Sequence, residues 1–151
     1  MNVPHEPVEE PCRPGGFFLT ERALSHCGFS GGARLLDLGC GAGATVRYVR
    51  HHHPIDICGC DSDPRVVAGR KHLLCAAAER IPLAAAALDG VLLECSLSLM
   101  AHPAVVLREC VRVLKPGGRL IVTDLYARGA AARFRGLLGR VDTRETLLAL
   151  M

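Results

Sequence analysis

The 151-residue sequence predicts an α/β fold, a doubly wound, mostly parallel sheet with helices on both faces. Three observations carry that prediction. Short aliphatic runs (LLDL, IDICGC, LLCA, GVLL and RLIVT) recur with helix-length segments between them. The first run ends in a glycine turn, DLGCGAG, after which a helical pattern begins. Asp63-Pro64 and His102-Pro103 then mark two more helix starts, with proline pre-set for a first turn.

The elements follow in order. Residues 1–15 read as a flexible lead, since Pro4, Pro7, Pro11 and Pro14 prevent a helix, and 16–151 as a single domain. Thr20 is expected to cap a helix to Cys27 that Gly28 stops. Ala33 to Leu38, apolar but for Arg34 and Asp37, suits a strand buried on both faces. A helix from Ala44 to His52 ends before Pro54. Ile55 to Cys60 is the second strand, and Asp63 caps a helix running to Leu73. Leu73 to Ala76 and Gly90 to Leu93 are the third and fourth strands, separated by an alanine-rich loop, Ala84 to Ala87. A helix from His102-Pro103 to Leu114 leads through the turn Lys115–Gly118 into the fifth strand, Arg119 to Thr123. The arginines at 128, 133, 135, 140 and 144 suggest an exposed amphipathic helix, followed by a helical stretch from Asp142 to Met151.

Composition excludes several functions. Half the residues are hydrophobic and 22% are charged, as a packed core requires. Aromatics are only 4% with no Trp, and the net charge is a mild +3, which argues against a base-stacking nucleic-acid platform. The acidic, proline-rich start has no apolar h-region, and no apolar stretch is long enough to span a membrane, so a cytoplasmic protein is expected. The eight cysteines, at 12, 27, 40, 58, 60, 75, 95 and 110, include no CxxC pair and read as small buried hydrophobes in a reducing compartment. His51-His52-His53 reads as a solvated helix end, so no metal site is expected.

In an open parallel sheet, ligands bind beyond the carboxyl ends of the strands, where the glycine turn lies. Gly39, Gly41 and Gly43 let the backbone bend and approach a ligand. Their G-x-G-x-G spacing puts Ala44 where a dinucleotide fingerprint has its third glycine. Asp37 at the strand end would repel a pyrophosphate but attract an ammonium group. Asp61, ending the second strand, is placed to accept two ribose hydroxyls. A ligand with an amino-acid head, a ribose and no phosphate satisfies both acids.

Four stretches in this order resemble the class I S-adenosylmethionine-dependent methyltransferases: LLDLGCGAG, ICGCDSDP, AAAERIPLAAAALDGVLLECSLSLM and LRECVRVLKPGGRLIVTDLYARG. The resemblance runs from about residue 16 to 126, and PGGFFLTERAL is similar to the leading helix of small-molecule members. It implies a Rossmann-like fold, S-adenosyl-L-methionine as cofactor with S-adenosyl-L-homocysteine as product, and a small-molecule acceptor. By the resemblance Asp37, Gly39, Cys40, Gly41 and Gly43 surround the methionine part, Asp61 holds the ribose and Ser62 lies by the adenine. Ala78, Glu79 and Ile81 fall in the adenine loop. Glu94 and Cys95 follow the fourth strand, near the methionine end and the acceptor. Read from the sequence alone, Glu94 is the candidate base, His102 precedes a helix rather than serving as an acceptor-site base, and Tyr126 either lines an acceptor pocket or caps the sheet.

The chain also departs from that pattern. Ala76 and Ala77 stand where the family usually has an adenine-binding Asp, and Ser62 replaces an apolar residue. The family's last two strands are lacking after LLALM, which would leave an exposed sheet edge open to homo-oligomerisation. A methyltransferase-like binding or scaffold protein is therefore the alternative to an active enzyme.

Overall fold

The computed structural model describes residues 10–134 and 140–150; Pro4, Pro7, Arg135 and Met151 lie outside them. Five strands build one parallel sheet: β1 (Arg34–Leu38), β2 (Asp56–Asp61), β3 (Leu73–Cys75), β4 (Leu88–Glu94) and β5 (Leu114–Thr123). Their order is β3-β2-β1-β4-β5, so the winding reverses between β1 and β4. That reversal opens a crevice beyond the carboxyl ends of the two central strands.

Alternation along the strands sorts the core into two layers. Leu36, Leu38, Val91 and Leu93 point to one face and pack against Val106, Cys110 and Val113 of α4 (Pro103–Val113). Leu35, Ile57, Leu92 and Ile121 point to the other. There they meet Leu24 of α1 (Gly16–Cys27) and Val46 and Val49 of α2 (Ala44–His52). The same alternation carries Asp37 and Glu94, two residues beyond Leu35 and Leu92, to the α1–α2 face.

Three elements differ from the sequence reading. The helix expected to run to Leu73 is a single turn, α3 (Pro64–Val67); Asp63 does cap it, and Gly69, at φ +71°, turns the chain away soon after. Thr20 is not a cap but a buried residue inside α1, which begins at Gly16. In place of an amphipathic arginine helix, the described residues form an antiparallel pair, β6 (Ala132–Arg133) and β7 (Arg140–Val141), separate from the main sheet. The last helix, α5, spans Arg144–Leu150.

Among the described residues β3 and β5 are the outer strands, and no helix is long and apolar enough to cross a membrane. Leu36 is wholly buried where β1 faces α4. Its replacement by alanine should lower unfolding stability by about 2–5 kcal/mol, read as a lower denaturant midpoint at unchanged slope.

Candidate functional site

The glycine turn is stitched to both neighbouring strands. The amides of Gly39 and Cys40 both donate to the Cys60 carbonyl, at 2.7 and 3.1 Å. Gly39 adopts φ +78°, and a Cβ there would stand 2.6 Å from the Ser96 Cβ, so only glycine lets the turn lie this close to the loop after β4. Ser96 fixes that loop in return by donating to the Leu38 carbonyl at 2.8 Å. Gly43 sits at the N-terminal boundary of α2, and a Cβ on Gly41 would meet nothing within 4 Å.

Asp61 is positioned by backbone alone. The Gly41 amide donates to its Oδ2 and the Asp63 amide to its Oδ1, each at 2.9 Å. Each oxygen keeps a further acceptor position, so the carboxylate is oriented and still able to take two hydroxyls.

A cavity of ≈ 420 Å³ opens beside it, of the size that small-molecule ligands occupy. Of the residues expected at a cofactor, Gly39, Asp61, Ser62, Ala78, Glu79 and Cys95 line it. So does Ala76, where a carboxylate was noted as missing. Leu99, Met100 and Ala101 close its far side, an apolar wall that follows β4. Cys95 turns the chain into that wall in a left-handed conformation, φ +53°.

Asp37 and Glu94 lie behind this lining, in a buried polar cluster at the strand ends. The Glu94 carboxylate accepts from Thr20 Oγ1 at 2.9 Å, Thr45 Oγ1 at 3.1 Å and Arg13 Nη2 at 2.7 Å. Arg13 also donates to both threonines, at 2.6 and 3.2 Å. Burial pushes the Asp37 carboxyl up to about 8, with the charges of Glu94 and Asp61 adding to the effect and Arg13 opposing it.

Several expectations need correction. Glu94 ends β4 and does not follow it, and its side chain is only 3% exposed, held by three donors in a buried network rather than lining the cavity. The Cys40 thiol points away from the cavity, into the space left by Gly59, where a Cβ would meet it at 2.6 Å. Desolvation holds that thiol far above the ordinary range, so it is neutral and unreactive. Ile81 is a core residue, 2% exposed, whose amide donates to Glu109. His102 does precede α4 as its boundary residue, as expected, and Tyr126 is half exposed.

Sequence reasoning missed Arg13, Thr20 and Thr45. Their partner is 81, 74 and 49 residues away, too far for any local pattern to reveal. A basic residue and two small hydroxyls flanking the strand acids were the available signal.

Asp37 fixes a pH dependence. The folded protein holds the Asp37 proton more tightly than the unfolded chain, so its stabilising contribution is complete below about pH 4. It is lost as pH rises toward about 8. Asp37→Asn should therefore unfold at a higher temperature than the parent above about pH 8, and the gap should shrink toward about pH 5. Thermal unfolding across that range checks the crossover.

Comparison with known proteins agrees with this geometry. The family described as methyltransferase domain matches residues 36–122. One relative in sequence is an O-methyltransferase of Aspergillus nomiae NRRL, 32% identical over 63% of this chain and 48% of its own length. Another is a ubiquinone/menaquinone biosynthesis C-methyltransferase of Syntrophotalea carbinolica, 31% identical over 68% of this chain and 48% of its own. Among solved structures, the [4+2]-cyclase SpnF superposes with a TM-score of 0.76 at 33% identity, covering 88% of this chain and 55% of that one. The MccD protein shares the fold, with a TM-score of 0.77 at 20% identity over 91% of this chain and 69% of its own. The chain spans about half the length of the sequence relatives it matches. With its glycine turn and the acids Asp37, Asp61 and Glu94 all inside the matched segment, this chain belongs to the methyltransferase domain family.

Proposed function

We propose that the chain binds S-adenosyl-L-methionine and transfers its methyl group to a small-molecule acceptor. The observation that carries this reading is the Asp61 carboxylate, held by the Gly41 and Asp63 amides on the rim of a cavity that the glycine turn also lines. The residues present fit such a cofactor. Asp61 takes the ribose hydroxyls, Ser62, Ala76 and Ala78 flank the base, and the buried acid Asp37 faces the ammonium end. Bound there, the cofactor supplies an electrophilic methyl sulfonium.

The chain's own part is positioning and exclusion of water. Leu99, Met100 and Ala101 give the acceptor side an apolar wall, which favours an uncharged acceptor over an ionic one. In this reading Glu94 positions Arg13 and the two threonines and does not accept a proton from the acceptor. Residues 16–151 act as one domain of a cytoplasmic protein, and the outer strands of the sheet offer edges for pairing with a second copy.

A second reading has its own support. SpnF, at 33% identity, is a [4+2]-cyclase, so likeness at this level also accompanies an activity other than methyl transfer, and a methyltransferase-like binding or scaffold protein is the alternative. Ala76 and Ala77 point the same way, since they leave the exocyclic amine of adenine without a carboxylate partner.

Calorimetric titration with S-adenosylhomocysteine tests the cofactor site. Micromolar binding is expected, weakened about 10- to 100-fold in Asp61→Ala, with no heat from NAD. Equal binding by the variant would remove Asp61 from the site. Incubation with S-adenosylmethionine and uncharged oxygen or carbon nucleophiles then separates the two readings, because only an active methyltransferase generates S-adenosylhomocysteine.

A further inference from the structure

One end of the molecule gathers side chains that the cofactor reading leaves unused. Leu99, which closes the far wall of the cavity, is itself 48% exposed, and Tyr126 and Phe134 are each 50% exposed. The fold ties these three together. Asp124, two residues before Tyr126, accepts from the Ser98 amide and the Ser98 hydroxyl, each at 2.9 Å, and so binds the end of β5 to the helical turn Leu97–Leu99. The Ala127 amide then donates to the Asp142 carbonyl at 2.8 Å. The β6–β7 ladder, Ala132 with Val141 and Arg133 with Arg140, brings in Phe134, and β7 lies against the Leu97–Leu99 turn.

The charge at this end is mostly of one sign. From Tyr126 to Arg140 the sequence, YARGAAARFRGLLGR, contains four arginines and no acid. Arg128 and Arg133 are exposed and have no carboxylate partner among the described residues. The nearby acids are engaged, Asp124 by Ser98 and the Leu125 amide, and Asp142 by Arg140. Among the described residues after Tyr126, Glu145 is the one exposed acid, and the exposed Arg144 precedes it. A soluble anion would need the arginines alone; the apolar side chains among them call for something to be buried in as well. An anionic lipid surface meets both demands, since arginine pairs with its headgroups while aromatic and aliphatic side chains enter the layer beneath.

We propose that this end of the protein docks on an anionic membrane surface, lying on it and not spanning it. Arg128 and Arg133 supply the attraction, and Leu99, Tyr126 and Phe134 supply the apolar contact. Leu99 belongs both to the docking face and to the cavity wall, so an uncharged acceptor dissolved in the lipid reaches the cavity without crossing water. That delivery rests on the methyl-transfer reading above; the docking does not.

Cosedimentation with vesicles tests the docking without any turnover. The protein should bind mixed phosphatidylcholine–phosphatidylserine vesicles at least about ten-fold more tightly than phosphatidylcholine alone, and about 0.5 M salt should abolish the difference. Arg128→Glu combined with Arg133→Glu should remove that selectivity. Tyr126→Ser combined with Phe134→Ser should weaken binding to the charged vesicles at least about five-fold. All four side chains are exposed, so both double variants should keep the parent's unfolding midpoint. Equal binding to both vesicles, binding to neither, or charged-vesicle binding unchanged in either double variant overturns the proposal. So does tighter binding to polyglutamate or to single-stranded RNA than to the charged vesicles, which would assign the face to an acidic protein or a nucleic acid. Selective vesicle binding by a protein that takes up no S-adenosylhomocysteine would support the docking and overturn only the cofactor reading.

Discussion

Two carboxyl groups, Asp37 and Glu94, are buried toward the ends of adjacent central strands, and a guanidinium is paired with the second. Removing charges from water is expensive unless they are paired and hydrogen-bonded, and much of the site's architecture follows from that constraint. Glu94 accepts three hydrogen bonds, from Arg13 and two threonine hydroxyls. Burial raises the Asp37 carboxyl to about 8 and so holds it largely protonated at neutral pH. Thr20 and Thr45 sit where the first layer of helices would otherwise place apolar residues, because the acids opposite them need donors. The strand alternation that packs Leu35 and Leu92 against α1 and α2 delivers those acids to the same face two residues later.

The turn after β1 does a complementary job with backbone only. Two of its amides converge on the Cys60 carbonyl and a third holds the Asp61 carboxylate, so the ends of β1 and β2 are tied at fixed spacing. Ser96 ties the end of β4 to the same turn. Three strand ends therefore meet in one rigid rim, and the cavity beside it is bounded by groups that need no rearrangement to present acceptors to a ligand. Preorganisation of this kind lowers the ordering cost of binding.

Much of this was legible in the sequence because its signals are local. The glycine turn, the Asp63-Pro64 cap and the aliphatic runs each declare themselves within ten residues, and α2 spans the expected residues Ala44–His52. Asp61 was legible as an acid free for another task because Asp63 already accounted for the helix cap, and it lines the cavity. The failures share a cause as well. Thr20 looks like a cap until a partner 74 residues away claims it, and Glu94 looks like a free base until Arg13 does. The helix expected to reach Leu73 has few apolar residues to bury beyond Val67, and tertiary packing gave it none. The arginine-rich stretch shows how charge spacing alone fails to distinguish an exposed helix from an exposed strand pair.

The packing of Cys40 against Gly59 has a consequence for how such a site can change. The thiol occupies volume that any side chain on β2 at that position would need, and Leu73 fills the space beside it. Bulk at positions 40 and 59 is therefore a shared quantity. A residue larger than cysteine at 40 presses on the second strand, and anything larger than glycine at 59 lifts the turn off the strand that fixes Asp61. The two sites can drift only together, and mainly toward smaller residues. The cavity rim is in this way insulated from gradual variation by a contact that lies outside the cavity lining.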